Sequence, residues 1–148
     1  MKSAELTLIN PVCMIVINDQ NQVLLAKRAT TGWGALGKWS IPGGGVEDGE
    51  TFEETVVREI EEELSCEITW MKYFKSYSMQ LDNVLARSIY FYGEISGGIK
   101  LQLDELSEYK WFDLNDPKLL ELDYAFDQKE VMTDFIKFWK NRKNHEMP

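Results

Sequence analysis

The sequence predicts one α/β domain in which helices pack against a mixed β sheet. Three observations carry that expectation. The chain has 148 residues, 44% of them hydrophobic, enough for a single full core. Apolar stretches of strand length recur between turn signals along most of it. Two segments, one central and one C-terminal, instead repeat apolar residues at helical spacing. No internal repeat, linker or low-complexity run divides the chain, so the domain is expected to cover residues 1–148.

The elements follow in order. The apolar run 6–17, with Pro11, Val12, Cys13, Met14, Ile15, Val16 and Ile17, ends at Asp19-Gln20-Asn21-Gln22 and resumes over 23–26. This predicts two strands joined by a tight turn. Residues 29–38 mix Gly and Thr without a period and read as a loop. A short strand at 39–41 leads into Pro42 and a glycine-rich turn. Thr51 and Glu54 stand in capping-box spacing, so a helix is expected over 52–64, with Val56, Ile60 and Leu64 on its core face. Strands are expected at 67–81, 86–96 and 99–103, the last two turned by Ser96-Gly97-Gly98, and a short one at 109–114. Asp127 and Glu130 repeat the capping spacing ahead of Val131, Phe135 and Trp139, which predicts an amphipathic closing helix.

The formal net charge is -9 at pH 7, and its placement says more than its size. Between Trp39 and Glu67 there are ten acidic residues and one basic residue, Arg58, so the whole imbalance lies in that segment. A protein that grips a nucleic-acid polymer needs Lys and Arg for the phosphates, so no such partner is expected. No stretch nears the roughly 18 consecutive apolar residues of a membrane span. The start MKSAELTLIN lacks the basic and apolar parts of a signal peptide, and a cytoplasmic location is expected. Cys13 and Cys66 are too few for a disulfide framework or a cysteine zinc site and read as buried thiols. The one histidine, His145, lies in the polar tail, which removes histidine triads, Cys-His dyads and the usual zinc hydrolase sites.

Within the predicted helix, Glu59, Glu62 and Glu63 stand at i, i+3 and i+4, beside the Val56, Ile60 and Leu64 stripe. Like charges at i and i+4 repel by roughly a few tenths of a kcal/mol, and acids in the last turn oppose the helix dipole. A merely solvated acidic face bears both costs without return. A bound divalent cation reverses them, and hard cations such as Mg2+ take carboxylates, a backbone carbonyl, waters and substrate phosphates as ligands. Arg58 lies one turn from both Glu54 and Glu62, where it can pair with either and orient a carboxylate. The turn Pro42-Gly43-Gly44-Gly45 either lets a backbone carbonyl approach a metal or simply connects strand to helix. It is no P-loop, because no Gly-Lys-Ser/Thr follows.

These residues resemble the Nudix box, whose pattern is Gly, five residues, Glu, seven residues, Arg-Glu, an aliphatic, any residue, Glu-Glu, any residue, Gly, an aliphatic. Here it reads Gly44, Glu50, Arg58-Glu59, Ile60, Glu62-Glu63, then Ser65 and Cys66, so every charged position matches and the final Gly is replaced by Ser. The flanks Lys38 to Gly44, Leu24 to Arg28 and Tyr109 to Phe112 are also similar to Nudix domains. A left-handed residue ending the helix is easy for Gly and costs Ser roughly 1 kcal/mol. The resemblance implies the Nudix fold, an α/β/α sandwich on a mixed sheet, and hydrolysis of a diphosphate linked to a nucleoside. It implies Glu59, Glu62 and Glu63 as Mg2+ ligands, with Mn2+ as an alternative ion, the Gly43 carbonyl completing the site, and Glu59 orienting or deprotonating the attacking water. Arg58 orients these carboxylates, and Glu50 is a partner behind them. A further glutamate is expected from a later loop, either Glu105 or Glu108. Arg28 resembles a phosphate contact, or is a strand-end surface arginine.

Metal ions held by carboxylates cleave P–O–P without histidine, which agrees with a chain whose one histidine is in its tail. The expected substrate is a nucleoside triphosphate, oxidised ones included, released as monophosphate and pyrophosphate. The alternatives are ADP-ribose or a nucleotide sugar, and a domain that senses a nucleotide without cleaving it. Trp33, Tyr77, Tyr90 and Trp111 either stack a base or pack the core, and the loop 30–37 is the place for specificity. Many relatives form homodimers, which is kept as an open expectation.

Overall fold

The computed structural model describes residues 5–30 and 35–145. Its strands are β1 (Thr7–Ile9), β2 (Pro11–Ile17), β3 (Gln22–Arg28), β4 (Trp39–Ser40), β5 (Gly43–Gly45), β6 (Glu67–Leu81), β7 (Val84–Ser96) and β8 (Leu106–Asp113), and they join one mixed sheet. Helices α1 (Phe52–Leu64) and α2 (Gln128–His145) cover its two faces, with a short 3-10 helix at Pro117–Glu121. The predicted α/β/α sandwich is the observed architecture.

The apolar run of β2 has no polar alternation because both of its faces are covered. Cys13, Ile15 and Ile17 join the core beneath α2, while Val12, Met14 and Val16 join the core beneath α1. β3 repeats the division with Val23 and Leu25 against Leu24 and Ala26. β7 does so with Tyr90 and Tyr92 against Ile89 and Phe91. β1 and β2 both run parallel to β7, interrupted only at Asn10, so the predicted strand over 6–17 is two pieces. β6 is the outer strand on the far side of β7, and its ladder slips register between Ile68 and Trp70 and again between Tyr73 and Lys75.

α1 begins as the capping spacing requires. The Thr51 hydroxyl accepts from the Glu54 N–H at 3.1 Å, and the Glu54 carboxylate accepts from the Thr51 N–H at 2.9 Å. It ends at Ser65, which is left-handed at φ 58°. α2 starts directly after Asp127 and buries Val131, Met132, Phe135 and Trp139.

Two expectations are corrected. The glycine segment is a strand: Pro11 to Cys13 pair with Gly45 to Gly43, because β2 has handed only its far end to β3 and leaves this edge open. Only glycine fits at position 43, where a Cβ would overlap the Val12 carbonyl and Cys13 Cα. Residues 99–103 form no strand and no hairpin follows β7. Their alternation is nonetheless real, since Ile99 and Leu101 pack on the α1-side core. The backbone pairs with a helix end instead: the Lys100 and Gln102 N–H groups donate to the Leu64 and Glu63 carbonyls at 2.9 and 3.1 Å. Those carbonyls have no partner within the helix. Among the described residues no helix is long and apolar enough to cross a membrane.

Phe135 is fully buried and meets Phe74 edge-on, Tyr92 and Phe138 at a tilt, and Trp139 stacked. Phe135→Ala is expected to cost about 3–5 kcal/mol in urea-induced unfolding, through the lost burial and the cavity left behind.

Candidate metal and phosphate site

The core stripe of α1 sets its rotation, and the rotation aims its acids. With Val56, Ile60 and Leu64 at 0% exposure, Glu59 and Glu63 turn inward under β5 and are only 8% and 2% exposed. The Gly43 N–H donates to Glu63 Oε1 at 3.1 Å. Gly44 lies so close to the Glu59 carboxylate that a Cβ there would overlap it. Glu105 arrives at the same place from the loop 97–105. One carboxylate oxygen each from Glu59, Glu63 and Glu105 can be chosen within 4.8 Å of one another. Glu108 is elsewhere, paired with Lys27 at 3.3 Å on the surface of β8. Glu62 stands outside the three-carboxylate cluster, half exposed on the solvent side.

Arg58 ties these acids to the backbone. Its Nε and Nη2 donate to the two oxygens of Glu50 at 2.7 and 3.0 Å, and Nη2 also donates to the Gly45 carbonyl at 3.0 Å. Nη1 donates to Glu59 Oε1 at 2.9 Å and Glu62 Oε2 at 3.2 Å, with Glu47 at 3.5 Å. Glu50 is further fixed by the Glu47 N–H and the Thr55 hydroxyl, and the Arg58 guanidinium pulls its carboxyl down to about 2. Glu50 thus serves the arginine and is not a member of the three-carboxylate cluster.

Burial drives the Glu63 carboxyl well above the ordinary carboxylate range, and the charge of Glu59 beside it adds to the rise. Burial raises Glu59 as well, against the opposing pull of its hydrogen bonds with Glu63 and Arg58. Two desolvated carboxylates converging on a third form an oxygen-only donor set, which fits a hard divalent cation. Gly43 is held against them through its N–H.

A cavity of about 340 Å3 opens on the other side of β5, within the size range of small-molecule sites. Cys13, Tyr90 and Gln128 line it, with Gly43 to Gly45 forming one wall. Gln128 is fixed there: its Oε1 accepts from the Ile41 N–H at 2.9 Å and its Nε2 donates to the Tyr90 hydroxyl at 3.2 Å. Burial raises the Asp127 carboxyl at the same wall and keeps the Cys13 thiol far above its ordinary value. Arg28 also lines the cavity, 5.5 Å from the centre of the Phe126 ring. Its Nη2 reaches Thr30 Oγ1 at 3.4 Å, but its buried Nε has no partner among the described residues. A phosphate or other anion is the ligand that this orphaned donor suits.

Of the aromatic candidates, Tyr90 reaches the cavity. Tyr77 does not line it, donating to Asp134 at 2.7 Å, and Trp111 packs on the α1-side core. Trp33, with the rest of 31–34 in the loop 30–37, lies outside the described residues. Sequence reading missed Phe126 and Gln128, and took Asp127 for a helix cap alone. No local sequence signal marks them, because their place at the cavity follows from the left-handed turn at Phe126, φ 56°, and from the docking of Gln128 on Ile41 and Tyr90.

A NUDIX domain model matches residues 8–135. The chain is 36% identical over 129 residues to the ADP-ribose pyrophosphatase of Methanocaldococcus jannaschii, covering 85% of this chain and 72% of that one. It is 32% identical over 110 residues to the NAD-capped RNA hydrolase NudC of Mannheimia succiniciproducens, and that match covers 72% of this chain and 40% of the relative. The crystal structure of a MutT protein from Methanosarcina mazei Go1 superposes with a TM-score of 0.78 at 26% identity, covering 96% of this chain and 99% of that one.

Arg58→Lys keeps the charge but loses the planar fork that serves Glu50, Gly45 and Glu59 together. It is expected to lower turnover on the order of 10²-fold through misplacement of Glu59, read from steady-state kinetics beside an unchanged circular dichroism spectrum. The raised Glu59 and Glu63 values also set a pH dependence. Groups raised above the unfolded value of 4.5 stabilise the fold fully below it, and that stability is lost as pH climbs through the folded values. In EDTA the melting temperature is therefore expected to fall as pH rises above the ordinary carboxylate range, and Mg2+ to raise it more at the higher pH. A melting temperature flat with pH and indifferent to Mg2+ would contradict this.

Proposed function

The chain belongs to the Nudix hydrolase family, and from that premise we propose that it hydrolyses a nucleoside triphosphate, oxidised ones included, to the monophosphate and pyrophosphate with Mg2+ as cofactor and Mn2+ as a substitute. The observation that carries this reading is the convergence of Glu59, Glu63 and Glu105 across β5 from a cavity whose Arg28 holds an unpartnered buried donor. A nucleoside in the cavity would present its phosphates over the glycine strand to the carboxylates.

Glu59, Glu63 and Glu105 would hold the ion, with Glu62 reaching it from the rim and the Gly43 carbonyl from the strand. When bound, such an ion would supply Lewis-acid neutralisation of the phosphate charge. The protein's own part is orientation. Arg58 fixes one oxygen of Glu59, so that this carboxylate orients the attacking water and accepts its proton. Arg28 binds a phosphate from the cavity side. The water oxygen forms the new P–O bond, and the bridging oxygen leaves with pyrophosphate.

A second reading is hydrolysis of ADP-ribose, favoured by the 36%-identical relative that carries that name. A domain that binds a nucleotide without cleaving it is disfavoured by a complete set of box acids, Glu50, Glu59, Glu62 and Glu63.

The test is a panel of nucleoside triphosphates, ADP-ribose and nucleotide sugars with Mg2+, with products separated by ion-exchange chromatography. Pyrophosphate release from triphosphates is the expected result. Glu59→Gln should lower kcat by roughly 10²–10⁴-fold while substrate still protects the fold against heat. Release of ribose 5-phosphate from ADP-ribose as the preferred reaction would select the second reading. A folded protein that binds nucleotide and turns over nothing would overturn both.

A further inference from the structure

We propose that Ser65 is a positioning residue for the metal site, acting through the loop that delivers Glu105. The inference rests on the metal-site reading above and goes beyond it, because the Nudix pattern has Gly at this position and Gly has no side chain to act with.

Ser65 ends α1 in the left-handed conformation, at φ 58° and ψ 35°. That conformation is unfavourable for Ser and free for Gly. In return its hydroxyl donates to the Lys100 carbonyl at 3.0 Å. This bond belongs to a short ladder between the helix end and the loop. The Lys100 N–H donates back to the Leu64 carbonyl at 2.9 Å, and the Gln102 N–H donates to the Glu63 carbonyl at 3.1 Å. The loop then closes on itself, the Glu105 N–H donating to the Gln102 carbonyl at 3.0 Å, while the Glu105 carbonyl accepts from the Ala29 N–H at 2.7 Å. Glu105 is the one exposed member of the three-carboxylate cluster, so the loop backbone, and not core packing, decides where its carboxylate stands.

The residue carrying the innermost ligand, Glu63, is thus also the residue whose carbonyl anchors the loop of the outermost one. Ser65 adds the third rung to that ladder. A pinned loop holds Glu105 at the spacing of the other two carboxylates before an ion arrives, and so lowers the ordering cost of binding.

Mn2+ titration followed by electron paramagnetic resonance tests this on wild type, Ser65→Gly, Ser65→Ala, Glu105→Gln and the Ser65→Gly/Glu105→Gln double variant. Ser65→Gly should melt at the wild-type temperature or above, since strain is relieved, yet bind Mn2+ roughly three- to tenfold more weakly, the worth of one hydrogen bond. Ser65→Ala should weaken Mn2+ binding equally while also melting lower, which separates the hydroxyl from the backbone strain. In the Glu105→Gln background the Gly substitution should change nothing further, because its effect runs through that carboxylate. Mn2+ binding by Ser65→Gly equal to wild type, or an equal loss in the Glu105→Gln background, would overturn the positioning role with the metal site left standing. No Mn2+ binding by wild type would overturn the metal site and this role with it.

Discussion

The Arg58 guanidinium stands at the centre of a segment that holds all of the molecule's excess negative charge. It meets Glu50, Glu59, Glu62 and the Gly45 carbonyl at hydrogen-bonding distance, with Glu47 just beyond. Each contact links a different piece of chain: the third glycine of β5, the turn before α1, and two successive turns of the helix. A point charge on a flexible stem could satisfy the Coulombic part but not this plan, because the fork directs two donors to one carboxylate and the rest elsewhere. Remove the guanidinium and the acids around it repel across a gap that no other side chain among the described residues bridges in the same way. One oxygen of Glu59 is held by that group, which ties the cluster to the turn before α1 and to β5.

The sheet supplies the other constraint. β2 is buried on both faces, so its length is committed to the two cores, and only its edge is left to carry function. That edge is divided: its end pairs with β3, its beginning with β5. The glycine strand fills the opening, with the carboxylates of α1 on one side of it and the cavity on the other. Glycines at 43 and 44 serve close approach in two directions, toward the β2 backbone and toward Glu59. A bulkier strand would push the helix off the sheet.

What the sequence revealed, it revealed locally. The capping box at Thr51 and Glu54, the stripe of Val56, Ile60 and Leu64, and the spacing of Glu59, Glu62 and Glu63 are properties of one helix, and the structure keeps α1 at its expected bounds of 52–64. Pairings with distant chain were not legible. Three glycines carry no strand propensity, and β5 exists only because β2 leaves an edge free. The alternation at 99–103 correctly reported which side chains face the core, yet it is silent on whether the backbone meets another strand or the end of a helix. Glu105 and Glu108 are equivalent in sequence and separate only once the loop is docked on α1 and β8 is registered on β3. The difference between Glu62 and its neighbours is one of rotation by a single helical step, enough to leave it half exposed while Glu63 is sealed.

β6 carries a consequence of a different kind. It pairs only with β7 among the described residues, so its outer row of amides and carbonyls faces solvent along fifteen residues. A long, flat, regular edge of that sort is a template on which a second chain can extend the sheet and begin to aggregate. Here the two slips in register break the row into shorter pieces and twist them, and the strand carries Lys72, exposed, and Lys75, paired with Asp134 of α2 at 3.0 Å. The same irregularities that look like faults in the ladder therefore make this edge a poorer template for a second chain.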